Sequence, residues 1–144
     1  MSLNTIIIIL CILFISYLVI RWFRNHIKEN LMQSDPIIQE LRNTLAPVFP
    51  KITTVKIFES EGKSYTINKE RVFLCLKDKD NQYYSKNMLV YVLLHEYAHV
   101  INDEIGHTEK FHILFDQILE QAADAGVYDP TVEPVKDYCE HKSE

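Results

Sequence analysis

Between Ser85 and Asp103 the chain reads SKNMLVYVLLHEYAHVIND, and apolar residues fall on every face of the helix such a run forms, from Met88, Leu89 and Val90 through Val92, Leu93 and Leu94 to Tyr97, Ala98, Val100 and Ile101. A helix without a polar face is a central, buried one, so the rest of the domain must be assembled around it. The same helix carries His95, Glu96 and His99. A buried histidine needs a partner, and a buried glutamate is hardly tolerated without one. Residues four apart share a helical face, so the two imidazoles can grip one ion while the adjacent carboxylate points beside them toward a metal-activated water. The HExxH pattern therefore asks for a divalent cation, with Zn2+ the expected cofactor.

The chain has 144 residues with 47% hydrophobic and 24% charged side chains and only three glycines. This is the composition of a folded protein, and its length beyond the apolar N-terminus suits one modest domain and not two. Beyond residue 30 there are 12 lysines and arginines against 19 aspartates and glutamates, a balance of −7 with no basic stripe. That argues against a nucleic-acid partner held through its phosphates. Cys11, Cys75 and Cys139 are widely spaced with no CxxC pair, so reduced thiols are expected, with a Cys75–Cys139 bridge as the alternative.

From Ile6 to Ile20 the chain is apolar but for Ser16, and the run extends from Leu3 to Phe23. At about 1.5 Å per residue this spans roughly 30 Å of hydrocarbon, and it reads as a transmembrane helix. No basic residue precedes it and no small-residue cleavage site follows, which argues against a signal peptide. Arg21, Arg24 and Lys28 follow the span, with Trp22 and Phe23 as an interfacial belt. This asymmetry predicts the N-terminus outside and the C-terminal domain on the cytoplasmic side or inside a virion. The expected order is the span at 3–23, a juxtamembrane linker at 24–34, the folded domain at 35–139 and a tail at 140–144.

Within the domain, Asp35 caps a short amphipathic helix that opens with Pro36 and stops at Pro47. The stretches ITTVKIFES and SYTINKERVFLCLKD, rich in β-branched and aromatic residues, predict two or three antiparallel strands. The buried helix follows, capped by Ser85 or Asn87. A second amphipathic helix then presents Phe111, Leu114, Phe115, Ile118 and Ala122 on one face and ends at Gly126. The fold class is α+β: a compact domain with a small antiparallel sheet beside the HExxH helix.

A catalytic zinc takes three protein ligands and leaves a position open. His107, Glu109, His112 and Glu120 are the candidates for the third. His107 lies four, seven and eleven residues before Phe111, Leu114 and Ile118, at the start of the second helix on its inward face. His112 and Glu120 share the polar face with Glu109 and Asp116. Periodicity favours His107, and Glu120, 21 residues after His99 and four before Asp124, is its rival.

The segment LLHEYAHVINDEIGHTEKF resembles the active-site segment of WLM and SprT-like zinc metallopeptidases, where HExxH is followed by a third histidine and, four residues later, a phenylalanine. The longer run from Tyr83 to Pro130 resembles WLM-type proteins of large DNA viruses, and the likeness covers roughly residues 51 to 139. It implies a zincin fold, His95, His99 and His107 as ligands, and Glu96 as the catalytic carboxylate. The interval from His99 to His107 is longer than in typical WLM members. Relatives that cut DNA-crosslinked proteins carry basic extensions, whereas this domain is acidic and preceded by an apolar span, so a DNA-repair role is not carried over.

The expected function is a membrane-anchored zinc endopeptidase of protein or peptide substrates, with Glu96 as general base. The alternatives are a noncatalytic membrane protein whose zinc only stabilises the domain, which would recruit a fourth ligand such as Glu109 or His112, and a metal-free helical interaction module. Tyr128 or Tyr138 can stabilise an oxyanion, and Asp103 or Asp116 can orient a ligand imidazole. The strand RVFLCLK can offer its edge to an extended substrate. Nothing in the sequence sets an oligomeric state.

Overall fold

The computed structural model describes residues 2–32 and 35–139. It falls into two units, one the N-terminal helix and the other the domain from residue 33 onward. Helix α1 runs Leu3–Met32, and its Leu3–Ile27 stretch, 25 residues that include an unburied 18-residue window of mean hydropathy 2.8, is long and apolar enough to cross a membrane. The helix continues through most of the region expected as a linker. Residues 33–34 of that region and the expected tail at 140–144 lie outside the described residues.

The domain opens with α2, Pro36–Leu45, where the Asp35 side chain accepts from the Ile37 amide at 2.8 Å and Pro36 occupies the first turn. A 3-10 turn at Pro50–Thr54 follows. Arg42 fastens it to α2, its Nη1 donating to the carbonyls of Ile52, Thr53 and Val55 at 3.2, 3.1 and 3.0 Å.

Three strands follow: β1 at Lys56–Ser60, β2 at Tyr65–Ile67 and β3 at Arg71–Cys75. The sheet is mixed where the sequence predicts an antiparallel one, with order β1-β3-β2 and β1 parallel to β3. The reason is strand order: β1 takes the edge of β3 and not that of β2. Asn68 and Lys69 adopt φ of 52° and 56°, and the Glu70 amide donates to Ile67 O at 3.2 Å, a tight reversal of the kind that suits hairpins. The hairpin makes β2 antiparallel to β3, and β1, running in the direction of β3, pairs with the other edge of β3 and leaves it central. An aromatic ladder crosses all three strands, with Phe73 stacked on Phe58 at 5.0 Å and on Tyr65 at 4.7 Å.

Helix α3, Lys86–Ile101, is capped by Ser85, whose hydroxyl accepts from the Met88 amide. As its sequence predicts, it is central. Its apolar residues from Met88 to Val100 pack with Ile38, Leu41 and Leu45 of α2, Val72 and Leu74 of β3, and Phe111, Phe115 and Ile118 of the last helix, α4, Glu109–Asp124. Gly126, at φ 70°, ends that helix in the left-handed conformation that glycine adopts without steric cost.

After α4 the chain folds back without regular structure. The Asn87 side chain holds Asp129 by two hydrogen bonds, accepting from its amide at 2.7 Å and donating to its carbonyl at 3.0 Å. Cys139 then meets the end of β3. Cys75 and Cys139, expected as free thiols, form a disulfide with Cα atoms 6.2 Å apart, while Cys11 is free. A separation of 64 residues leaves no local signature of such a pair, which exists because the segment after α4 returns to the end of β3.

Candidate active site

His95 and His99 project from one face of α3, one turn apart, with ring centroids 5.0 Å from each other. The loop from Asn102 to Thr108 brings His107 to meet them. Gly106, at φ 86°, takes a backbone conformation that costs an L-residue about 1–2 kcal/mol. Asp103 binds Lys110 at 2.8 Å and the Thr108 hydroxyl donates to Glu104 at 2.6 Å, fastening the loop to the start of α4. His107 therefore sits in the loop, one residue before the cap Thr108, and not on the helix where periodicity places it.

The Nε2 atom of His107 lies 3.0 Å from that of His95 and 3.1 Å from that of His99. One ring nitrogen carries either a single proton or a single lone pair, so it cannot form good hydrogen bonds to both neighbours. Three lone pairs directed at a shared centre do fit this geometry, because nitrogens about 2.0–2.1 Å from a tetrahedral zinc stand roughly 3.3 Å apart. The donor set thus suits zinc. Phe111, fully buried, supports all three rings: it stacks on His99 at 4.3 Å and meets His95 and His107 edge-on at 5.1 and 4.9 Å.

Burial, with the neighbouring histidines, lowers the His95 imidazole to about 4. Burial and His107 lower His99 as well. Both rings are then neutral at neutral pH and free to donate lone pairs.

Glu96 is 5% exposed. Burial raises its carboxyl to about 7, against the opposing pull of a hydrogen bond from Thr66. The Thr66 hydroxyl lies 2.7 Å from Oε2 of Glu96 and 3.2 Å from its backbone carbonyl. Sequence reasoning missed Thr66, since nothing in a three-residue strand marks a threonine as the partner of a glutamate 30 positions later. Thr66, Lys69, Glu96, Ile105 and the three histidines border a cavity of about 540 Å³.

Among the described residues, the histidine trio is the one group of three or more candidate ligands close enough to hold an ion. Glu109 and Glu120 are exposed on α4 and outside it. The ring of His112 stands 6.2 Å from that of His107, near the cluster but not part of it. Asp103 is engaged by Lys110, and Asp116 is exposed on α4. Tyr138, pushed up to about 12 mainly by burial, hydrogen-bonds to Ser64 and donates to the Cys75 carbonyl. Tyr128 packs against Tyr91. Strand β3 has both edges paired, which corrects the expectation that it receives a substrate. The strand beside the cavity is β2, paired on one edge only among the described residues.

No family model matches the chain. It is 40% identical over 145 residues to protein 136R of invertebrate iridescent virus 6, covering 85% of this chain and 81% of the relative. It is 44% identical over 86 residues to protein 042R of invertebrate iridescent virus 3, covering 59% of this chain and 54% of that one. It is 30% identical over 127 residues to protein R325 of Acanthamoeba polyphaga mimivirus, covering 80% of this chain but 60% of the relative. All three are described as uncharacterized. Among solved structures it is similar to a Wss1 mutant from Saccharomyces cerevisiae, with TM-score 0.54 and 18% identity over 67% of this chain and 90% of that one, a likeness of fold.

Proposed function

The chain belongs to the family of protein 136R of invertebrate iridescent virus 6, and we propose that it is a zinc-dependent endopeptidase held to a membrane by α1. The convergence of three imidazole nitrogens beside a buried carboxylate carries this proposal. The fold shared with Wss1 and the WLM resemblance of the His95–Phe111 segment agree with it. A purely structural zinc site would draw in a fourth protein ligand, and the cluster has three members among the described residues.

When bound, zinc supplies Lewis acidity, polarising a carbonyl oxygen and lowering the pKa of water toward 7. His95, His99 and His107 would hold the ion through their ring nitrogens. The Thr66 hydroxyl occupies Oε2 of Glu96 and leaves Oε1 to take a proton from the attacking water. A carboxyl poised near neutrality by burial is well matched to that task and to returning the proton to the leaving amine. Strand β2 can align an extended substrate backbone along the edge that no described strand pairs.

Zinc content and cleavage of an unfolded test protein, compared between the wild-type chain and Glu96→Gln, test the proposal. Glu96→Gln is expected to keep its zinc and lose about 10²–10⁴-fold in cleavage rate. Equal cleavage by both proteins rules out the role given to Glu96.

A further inference from the structure

Next to the histidine cluster lies a second cavity, of about 520 Å³, which has Ser64, His95 and Glu96 in common with the first. Its size falls in the range of ligand clefts, about 300–1,000 Å³, and the proposed chemistry leaves it unused. Met88, Tyr91 and Val92 of α3 line it on one side and Val135, from the segment after α4, on the other. Lys63 and Lys136 also border it, and Glu96 is the one carboxylate among its lining residues.

The wall built by the returning segment is fastened at several points. The Val135 amide approaches Met88 Sδ at 3.3 Å, Tyr138 is tied to Ser64 and Cys75, the Cys139 amide donates to the Tyr84 hydroxyl at 3.0 Å, and the disulfide closes the strap. A chain whose scissile carbonyl faces Glu96 and His95 places a neighbouring side chain at the mouth of this cavity. Apolar walls favour an apolar occupant. Two lysines against the single carboxylate of Glu96 leave the lining with an excess of positive charge, which disfavours a basic occupant.

We propose that this cavity is a specificity pocket that takes a large apolar residue next to the scissile bond and turns away lysine and arginine; the assignment rests on the peptidase reading above. The experiment is equilibrium binding of fluorescent peptides to the full-length, zinc-loaded Glu96→Gln chain, the peptides differing at one position that carries Leu, Ala or Lys. The Leu peptide is expected to bind about tenfold tighter than the Ala peptide, and the Lys peptide weakest. Val135 is 48% exposed, so Val135→Asp leaves the fold intact, and it is expected to abolish the preference for Leu over Ala and to strengthen binding of the Lys peptide. Equal binding of the three peptides, or an unchanged preference in Val135→Asp, overturns the pocket. Mapping of cleavage sites made by the wild-type chain separates the two claims. Selective binding without any cleavage defeats the peptidase reading and leaves the pocket, whereas cleavage with no apolar enrichment beside the cut defeats the pocket and leaves the peptidase.

Discussion

In the proposed reaction Glu96 and Thr66 together set the proton chemistry. Burial disfavours the carboxylate, and the threonine hydroxyl favours it by donating to Oε2. Replacing Thr66 by valine keeps the shape and removes the donor, so the Glu96 carboxyl rises further. A base must be ionised to act, so the acidic limb of kcat/KM against pH is expected to move to higher pH by about one pH unit in Thr66→Val. A limb that stays in place shows that the hydroxyl does not tune Glu96. The depressed imidazoles act in the other direction: with His95 lowered to about 4, protons compete weakly for its lone pair, and that ring stays available to a metal as pH falls through the ordinary histidine range.

Among the elements, the loop between α3 and α4 matters most, because it alone delivers the third imidazole. Gly106 has open space where a Cβ would stand, and its positive φ is the obstacle to any side chain. Gly106→Ala is therefore expected to weaken zinc binding by about tenfold through backbone strain of 1–2 kcal/mol, measured by competition with a chelator. Unchanged affinity contradicts a loop held in this conformation for His107. The helices were legible because their signals are local: Asp35 and Ser85 as caps, Pro36 at a first turn, Gly126 at an end, and apolar residues all round α3. The parallel pairing of β1 with β3 was not, since it depends on which strand takes the middle. His107 was legible as a residue while its setting in the loop was not, because the apolar spacing of α4 extends back past its true start at Glu109.

At the scale of the whole molecule, an apolar helix and an acidic α+β domain occur in one chain, and the domain is closed by a bond between residues 64 positions apart. The basic residues after the span support a proposal that the domain faces the cytoplasm or a virion interior, and the compartment decides whether a disulfide persists. In the full-length chain purified without reductant and then denatured, alkylation is expected to label Cys11 alone, with Cys75 and Cys139 reacting only after reduction. Labelling of either before reduction contradicts the closed pair.

The most direct measurement is the zinc content of the purified full-length chain beside that of His107→Ala, after equal exposure to zinc and removal of loosely held ion. Roughly one equivalent is expected in the wild-type chain and less than about a tenth in the variant. A wild-type chain without zinc, or a variant that retains a full equivalent, contradicts a metal centre built from these three histidines.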